Sequence, residues 1–438
     1  MLPWPFTEHR LYFPVNSSQL DMSNNSCPPL WMQSPSPASV ATKIRLSMLS
    51  TAMVDALGGP PEFKTRFEYP FVSEMTENHN FEQEFFVLPP GTWTDDTSMT
   101  LCLAASLCGL PQTSGPGEFD EIYQLTLYNK WRNEGYMSAV DVCFDIGGTT
   151  RGALTRFQEK HAAGVDRDGI LQNIAKGYGK DMYSGNGSLM RLLPVGLAYW
   201  HDETRAKAFA RRSSVTTHPN ATCQEACEVW AGAIALIMKN ATATSAVNFT
   251  KLDLLAYFSN FPYTSYRLQA LLSTASTIPS NVVDPAEREA WFSKNHPLLK
   301  LIKETQGPAS QAVGSKIIDP SFPYHVPSAE KLSSAGIVWT SALAALYCFF
   351  ATKTFEEGAI MAVNLADDAD TVGAIYAGLA GCWYAYEDVD TSKQGEFWTE
   401  RVRRWRDMLV KRSLVEEVAE NLILREERLR KGGVPSER

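Results

Sequence analysis

The stretch NLADDADTVGAIYAGLAG (Asn364–Gly381) joins an acidic turn to a long apolar segment. Asp368, Asp370 and Thr371 stand directly before a run rich in glycine and alanine, whose apolar spacing predicts a helix over 371–386. Burying carboxylates at the start of such a helix costs free energy unless a cation neutralises them. The stretch therefore predicts a buried helix that begins at a metal site. The simpler interpretation is a helix cap with solvated acids.

A second acidic cluster stands in GTWTDDTSM (Gly91–Met99), where Thr94, Asp95 and Asp96 precede another helical pattern. Threonine and aspartate are also preferred at helix N-termini, so capping is the alternative here too. Carboxylate and hydroxyl oxygens are ligands that hard divalent cations prefer. Two such clusters, each followed by a helix, can converge on a pair of ions. We expect two divalent cations, magnesium or manganese.

Apolar residues recur at helical spacing along most of the chain, and sustained period-two alternation is nearly absent. Ser36 before a proline predicts the first helix start, and Val40, Ile44 and Met48 recur every four residues until the Gly-Gly-Pro-Pro of 58–61. The same spacing predicts helices over 99–107, 122–131, 206–213, 224–238, 268–276, 337–351 and 355–364. The fold class is therefore all-α, with a single compact multi-helix domain.

No break in composition divides the body, so we expect one domain over 37–431 between a Pro-, Ser- and Asn-rich arm (1–36) and a tail (432–438). Residues 279–333 contain seven prolines and predict an irregular insertion. Residues 396–431 predict one charged amphipathic helix. Its inner side is expected to carry Trp398, Val402, Trp405, Met408 and Leu409.

The composition excludes several classes of protein. With 44% hydrophobic residues over 438 positions, the chain can bury a large core. The net charge of −9 excludes general binding to nucleic acids. The N-terminal residues do not resemble a secretory signal, and the longest apolar segment, 336–351, is too short to span a membrane. Eight cysteines without a CxxC pair indicate a reducing compartment. We expect an intracellular, cytoplasmic protein without a membrane segment, and a monomer.

Six stretches in this order resemble the motifs of one family, the ADP-ribosylglycohydrolases, the group of the dinitrogenase reductase activating glycohydrolase. Together they span about residues 38–386. They are VDALGGPPEF (Val54–Phe63), GTWTDDTSM, FDIGGTTRGAL (Phe144–Leu154), NGSLMRLLPVGL (Asn186–Leu197), TTHPNATC (Thr216–Cys223) and NLADDADTVGAIYAGLAG. The resemblance implies an all-α hydrolase that binds ADP-ribose or an ADP-ribosylated substrate.

The resemblance also implies residue roles. The two-magnesium ligands of the family fall on Thr94, Asp95, Asp96, Asp368, Asp370 and Thr371. The glutamate of its mobile loop near the scissile bond falls on Glu62, so the implied catalytic residues are Glu62, Asp95, Asp96 and Asp368. The implied ADP-ribose contacts are Gly185, Asn186, Gly187, Ser188, Met190 and His218.

The chain departs from the family pattern at Ala366 and Asp367, where many members have a glycine pair, and at 182–184 before the Asn-Gly turn. The insertion matches no motif, so we expect substrate preference to reside there. Three functions compete. These are a metal-dependent ADP-ribosyl hydrolase, a phosphohydrolase of ADP-ribose 1″-phosphate or a related nucleotide, and a non-catalytic ADP-ribose-binding module. Retention of all six ligand positions and Glu62 favours an enzyme.

Overall fold

The computed structural model describes residues 28–82, 86–109, 119–242, 249–307, 313–387 and 394–431. Within these ranges the chain forms eighteen α-helices and one antiparallel two-stranded hairpin, which confirms the all-α fold. The helices are α1 (Val40–Gly58), α2 (Asp95–Cys108), α3 (Glu121–Glu134), α4 (Gly148–Ala162), α5 (Arg167–Tyr178), α6 (Leu193–Tyr199), α7 (Glu203–Val215), α8 (Ala221–Ala241), α9 (Lys251–Asn260), α10 (Tyr266–Leu272), α11 (Pro285–Asn295), α12 (Pro297–Thr305), α13 (Val338–Ala351), α14 (Phe355–Val363), α15 (Ala369–Tyr384), α16 (Gln394–Phe397), α17 (Glu400–Met408) and α18 (Arg412–Arg430). The hairpin strands are β1 (Ser315–Lys316) and β2 (Val326–Pro327).

Helices α1 and α15 form the centre of the molecule and are buried along almost their whole length. They pack closely because glycines remove side chains from the contact. A Cβ on Gly58 would lie 2.5 Å from the Cα of Asp370, and one on Gly381 would lie 2.7 Å from the Cα of Ser47. Helices α2, α13, α14 and α18 pack around this pair. The end of α1 therefore meets the start of α15, where the acidic turn lies.

The first helix begins three residues later than the sequence predicted. Ser39, not Ser36, is its N-cap, and the Ser39 side chain accepts a hydrogen bond from the amide of Thr42. Ser36 instead donates its amide to the carbonyl of Trp383 at 2.8 Å. The helices predicted over 337–351 and 371–386 are confirmed within two residues at each end, as α13 and α15.

The prediction of an irregular segment over 279–333 was wrong in its first half, which contains α11 and α12. Pro285 and Pro297 are the first residues of these helices, where a missing amide hydrogen costs nothing and the proline φ is already helical. The Asp284 side chain caps α11 by accepting two backbone amides. Three apolar side chains of this region are buried: Phe292, Leu298 and Leu299. The segment is therefore part of the core as well as part of the surface.

The single helix predicted over 396–431 was also wrong, since α16, α17 and α18 divide this region. Between α17 and α18, Val410 donates its amide to the carbonyl of Gly91 at 3.0 Å, and Lys411 adopts a left-handed φ of 46°. Trp405 is fully buried as expected, but Met408 is 40% exposed and does not lie on the inner side. A bond to a distant loop interrupts the helix, and the local pattern does not reveal it.

The predicted N-terminal arm is described from residue 28, and residues 1–27 and 432–438 lie outside the described part of the chain. Leu30 is buried, and Trp31 donates its amide to Glu289 of α11 at 3.2 Å. The described end of the arm thus packs on the domain. None of the described helices is both long enough and apolar enough to cross a membrane.

Candidate active site

The two Thr/Asp clusters meet at one buried position between α1, α2 and α15. The side-chain oxygen of Thr94 lies within 3.2 Å of carboxylate oxygens from three acids: Asp55 (3.0 Å), Asp96 (3.2 Å) and Asp370 (3.1 Å). The hydroxyl of Thr371 donates to Asp96 at 3.2 Å. The packing of α1 against α15 therefore brings together residues that are far apart in sequence.

Both clusters lie at helix starts, but they do not cap these helices through side-chain hydrogen bonds. Thr94 and Asp368 occupy the N-cap positions of α2 and α15, yet neither side chain accepts a hydrogen bond from a backbone amide of the first turn. Their oxygens face the acidic cluster instead. The residue types that suit a cap are thus used here to place oxygens at a helix junction.

Several oxygens of this cluster are buried without a hydrogen-bond partner among the described residues. They are Oε2 of Glu62, Oδ1 of Asp96 and Oδ1 of Asp370. Asp55, Asp96 and Asp370 each offer an oxygen within 4.8 Å of the other two. No described basic residue forms an ion pair with these acids. Because unpaired buried carboxylates are costly, this oxygen-rich cluster fits a divalent cation, which needs such ligands.

The electrostatics of the cluster point the same way. Burial, followed by the charge of Asp370, raises the pKa of Asp368 to about 7. Burial, followed by the charge of Asp55, raises the pKa of Asp370 to about 7. Burial and then Asp370 raise the pKa values of Asp95 and Asp96 well above the ordinary range. The cluster therefore binds protons more tightly than free carboxyl groups do, and a divalent ion would compete with those protons.

Asp55, the one acidic residue of α1, holds the residues of the cluster in place through hydrogen bonds. Its Oδ1 accepts hydrogen bonds from the amide and hydroxyl of Thr94, and its Oδ2 accepts from the amide and hydroxyl of Thr97. Burial still raises its pKa to about 6. The sequence placed Asp55 in a motif but gave it no role. The four bonds show that it fixes the start of α2 and the orientation of Thr94.

Glu62 lies on the loop after α1 and belongs to a second acidic group. Glu62, Asp145 and Asp370 each offer a carboxylate oxygen within 4.8 Å of the others. Burial, followed by the charge of Asp145, raises the pKa of Glu62 well above its usual value. Asp145 has a left-handed φ of 58° and was missed by the sequence reasoning. Asp145 stands two residues before a Gly-Gly pair in a quoted motif, but this position does not reveal its acidic neighbours.

The Asn-Gly loop closes the opposite side of the site. Asn186 donates its amide to Oδ2 of Asp368 at 2.5 Å and to the hydroxyl of Ser341 at 2.8 Å. The fully buried Arg191 donates to the carbonyl of Gly187 at 2.5 Å, which holds the loop from behind. A Cβ on Gly187 would lie 2.7 Å from Cε1 of His218. The loop is therefore fixed between α13, α15 and the segment before α8.

One cleft of about 280 Å³ joins these groups. Ten of the predicted site residues line it: Glu62, Asp95, Gly185, Asn186, Gly187, Met190, His218, Asp368, Asp370 and Thr371. Thr94 and Asp96 lie in the layer beneath, and the Ser188 side chain points away, toward Ser214 and Cys227. The start of α4, Gly147 to Thr150, also lines the cleft and was given no role by the sequence analysis.

His218 is buried beside the loop as an uncharged imidazole. Burial, followed by the positive charge of Arg191, lowers its pKa to about 3. Its Nδ1 lies 2.8 Å from the hydroxyl of Thr217. The ring faces Gly185 and Gly187, not the acidic oxygens, so it belongs to the loop side of the cleft.

Comparisons with known proteins agree with this geometry. A family model described as ADP-ribosylglycohydrolase matches residues 36–432. The chain belongs to the ADP-ribosylglycohydrolase family. It is an enzyme of this family, a hydrolase that removes ADP-ribose from a modified substrate, as the six ordered motifs indicated.

Similar proteins include two ADP-ribosylarginine hydrolases named Tri1. The one from Pseudomonas putida (strain GB-1) is 27% identical, covering 85% of this chain and 79% of the relative, and that from Serratia proteamaculans (strain 568) is 24% identical, covering 87% and 78%. The ADP-ribosyl-[dinitrogen reductase] glycohydrolase of Rhodospirillum rubrum is 24% identical, covering 78% and 86%. A solved structure described as an ADP-ribosylglycohydrolase-related protein complex is 28% identical with a TM-score of 0.54, covering 88% of this chain and 99% of that one.

The turn before Asp368 has a backbone conformation that glycine favours, although it contains no glycine. Ala366 and Asp367 both adopt left-handed φ values, 54° and 59°, which glycine favours. The turn persists because Asp367 exchanges backbone hydrogen bonds with the Glu62 loop, accepting from Phe63 at 2.7 Å and donating to Lys64 at 3.1 Å. Ala366 and Asp367 thus form this turn without glycine, and the Asp367 side chain is exposed.

Proposed function

We propose that this ADP-ribosylglycohydrolase is a binuclear metal-dependent enzyme that cleaves ADP-ribose from arginine side chains, at the anomeric carbon of the distal ribose. The observation that carries the proposal is the convergence of the two Thr/Asp clusters on a buried site with unpartnered carboxylate oxygens. The residues that would hold the ions, magnesium or else manganese, are Thr94, Asp95, Asp96, Asp368, Asp370 and Thr371. Bound ions of this kind orient hydroxyl groups and lower the pKa of a bound water.

Glu62 and Asp145 would move the protons of the reaction. Their carboxylates lie close together at the edge of the acidic cluster, and burial raises the pKa of each. Two neighbouring acids of this kind can share one proton, so one carboxylate accepts from an attacking water while the other donates to the leaving group. Glycosidic bond cleavage requires such a pair of proton-transfer groups. We therefore propose Asp145 as an addition to the predicted catalytic set.

The other end of the cleft suits the diphosphate of ADP-ribose. Gly147 caps α4 without a side-chain hydrogen bond, so the first amides of a fifteen-residue helix are free to bind an anion. Asn186 and Gly187 present a loop that the Arg191 guanidinium holds in place. We propose that the diphosphate lies between these two elements, with the distal ribose directed toward Asp368.

Three observations favour arginine as the acceptor. First, the relatives in Pseudomonas and Serratia are named for ADP-ribosylarginine. Second, an acidic cleft attracts a guanidinium group, which carries a positive charge after its release. Phe63, next to Glu62, is 64% exposed and lines the cleft, so its ring offers an aromatic face to the same group. A 1″-phosphate would instead place additional negative charge beside these carboxylates.

The test is a comparison of four substrates: ADP-ribosylarginine, ADP-ribosylserine, acyl-ADP-ribose and ADP-ribose 1″-phosphate. Each is assayed with magnesium and with a chelator. We expect ADP-ribosylarginine to be cleaved fastest and its cleavage to stop in chelator. Activity that persists in chelator would contradict the metal assignment, and faster cleavage of another substrate would contradict the acceptor assignment.

A further inference from the structure

The outer side of the Glu62 loop carries a second depression, of about 310 Å³, which we call the hairpin groove. Most of its lining residues are apolar or aromatic, although about half of the surface that they expose is polar. These residues come from three segments. These are the loop after α1 (Pro61, Phe67, Tyr69, Pro70, Phe71), the first hairpin strand and its continuation (316–318), and the end of α14 with the following turn (363–366). No step of the proposed reaction uses these residues.

The groove presents apolar surface to solvent. Ile317 is 46% exposed, although it is a large aliphatic side chain. Beside it, the ammonium of Lys316 lies 4.7 Å from the centre of the Phe67 ring. Apolar surface gathered in a depression with a charged rim is typical of a site that binds a partner chain.

The groove is formed in advance by the buried Arg66 beneath it. The Arg66 guanidinium donates four hydrogen bonds that tie the loop after α1 to the turn after α14, to the second hairpin strand and to residues 332–334. The acceptors are the carbonyls of Leu365 (2.6 Å), Pro327 (2.8 Å) and Leu332 (2.6 Å) and the hydroxyl of Ser334 (2.6 Å). A ligand therefore would not have to order these segments before binding them.

A backbone bridge lies between the groove and the catalytic cleft. Glu62 pairs with Asp367 in this bridge. On one side, Glu62 faces the cleft, and on the other, the neighbouring Pro61 and Ala366 line the groove. Because residues on either side of this bridge line the cleft and the groove, a polypeptide that places an arginine at Glu62 can continue from the cleft into the groove.

We propose that the hairpin groove binds the extended polypeptide that flanks the modified arginine, through a large apolar side chain or a proline near that arginine. Grooves lined by aromatic rings recognise extended and proline-containing segments in this way. The continuity of groove and cleft argues for the acceptor chain as the occupant. The proposal rests on the proposed function. It gives β1, which belongs to the 279–333 insertion, a role in substrate choice.

The experiment uses free ADP-ribosylarginine and two synthetic peptides that each carry one ADP-ribosylarginine. One peptide has leucine, phenylalanine and proline on either side, and the other has glycine and serine. The wild-type protein is compared with Ile317→Asp and with the control Val283→Asp, which changes a 76% exposed side chain of the insertion outside the groove. kcat and KM are measured for each.

We expect the wild type and Val283→Asp to cleave the apolar peptide with kcat/KM about tenfold higher than the polar peptide, mainly through KM, as loss of an apolar contact of this size allows. Ile317→Asp should remove this preference. All three proteins should cleave free ADP-ribosylarginine within about twofold of one another, since the groove does not contact it.

Equal kcat/KM of the wild type for both peptides would overturn the groove proposal alone. So would a loss in Ile317→Asp that is as large for free ADP-ribosylarginine as for the peptides. A change in sedimentation between the wild type and Ile317→Asp would assign the groove to a contact between two copies of the chain. Failure of the wild type to cleave any of the three compounds would instead refute the proposed function, and the groove proposal with it.

Discussion

The Thr94 hydroxyl lies among oxygens of Asp55, Asp96 and Asp370 but has only one proton to donate. At least two of these oxygen–oxygen contacts therefore lack a hydrogen from Thr94 and are repulsive. A proton on a carboxyl group would remove the repulsion in one contact, and a bound cation would offset the repulsion in all of them. The same geometry explains why a threonine, with an oxygen and no charge, stands at this position.

Asp368 is the residue whose neutralisation tests the metal site most directly. Asp368→Asn keeps the size of the side chain but removes a charged ligand, so we expect magnesium affinity to fall at least about tenfold, with loss of turnover. Isothermal titration calorimetry gives the affinity, and circular dichroism checks the helices. The matched control is Asp367→Asn, which neutralises the exposed neighbour. Equal metal affinity in both variants would contradict the ligand role.

Glu62 is expected to act in the chemical step and not in affinity. Glu62→Gln should lower kcat about 100-fold or more, the range for lost proton transfer, while calorimetry shows an unchanged Kd for ADP-ribose. Glu68→Gln, on the same loop but exposed, is the control. If Glu62→Gln lost ADP-ribose binding and kept its turnover per bound substrate, the side chain would serve affinity.

At the scale of the elements, the Asn-Gly loop depends on one glycine. A Cβ on Gly187 would lie 2.7 Å from Cε1 of the buried His218 ring, so the loop or the ring would have to shift. We expect Gly187→Ala to shift the loop and weaken ADP-ribose binding about tenfold, measured by calorimetry. Gly395→Ala, where nothing lies within 4 Å of the added atom, is the control. Unchanged binding in Gly187→Ala would show that the loop does not contact the ligand.

The sequence predicted the helices that have strong local patterns, such as α13 and α15, because their periodicity reflects which face is buried. It could not predict the break before α18, since the bond from Val410 to Gly91 joins segments that are distant in the chain. Prolines were read as breakers in the insertion, yet Pro285 and Pro297 start helices there. Position within an element decides what a proline does, and composition does not give that position.

The active site could also be predicted only in part, because its residues come from segments that are distant in the chain. Local spacing singled out Thr94, Asp95 and Asp96 and the turn before α15, but left capping as an alternative, and only their convergence decides against it. Asp145 carries no local signal of its acidic environment, because its partner Glu62 comes from another loop. Family resemblance supplied the proposed ligand positions, and the packing of α1 on α15 explains why these residues meet.

At the scale of the whole molecule, the metal-free cluster makes stability depend on pH. Burial raises the pKa of Asp55 to about 6, and those of Asp368 and Asp370 to about 7, from 3.8. The folded state thus binds protons more tightly than the unfolded state, so this contribution is complete below about pH 4 and is lost as the pH rises through 6 to 7. In chelator, we expect Tm to fall between pH 5 and pH 8. A Tm that rises over this range would contradict the raised pKa values.

Divalent cations should reverse this loss, and the reversal should itself depend on pH. At pH 8 the carboxylates are ionised, and magnesium at 100 times its Kd would add about 2.7 kcal/mol to the free energy of unfolding. At pH 5 protons occupy the same oxygens and magnesium competes poorly, so the gain in Tm should be much smaller. Scanning calorimetry at both pH values, with Asp367→Asn and Asp368→Asn in parallel, separates the site from general ion effects. An equal gain at both pH values, or an undiminished gain in Asp368→Asn, would mean that magnesium stabilises the protein from somewhere other than the junction of α1, α2 and α15.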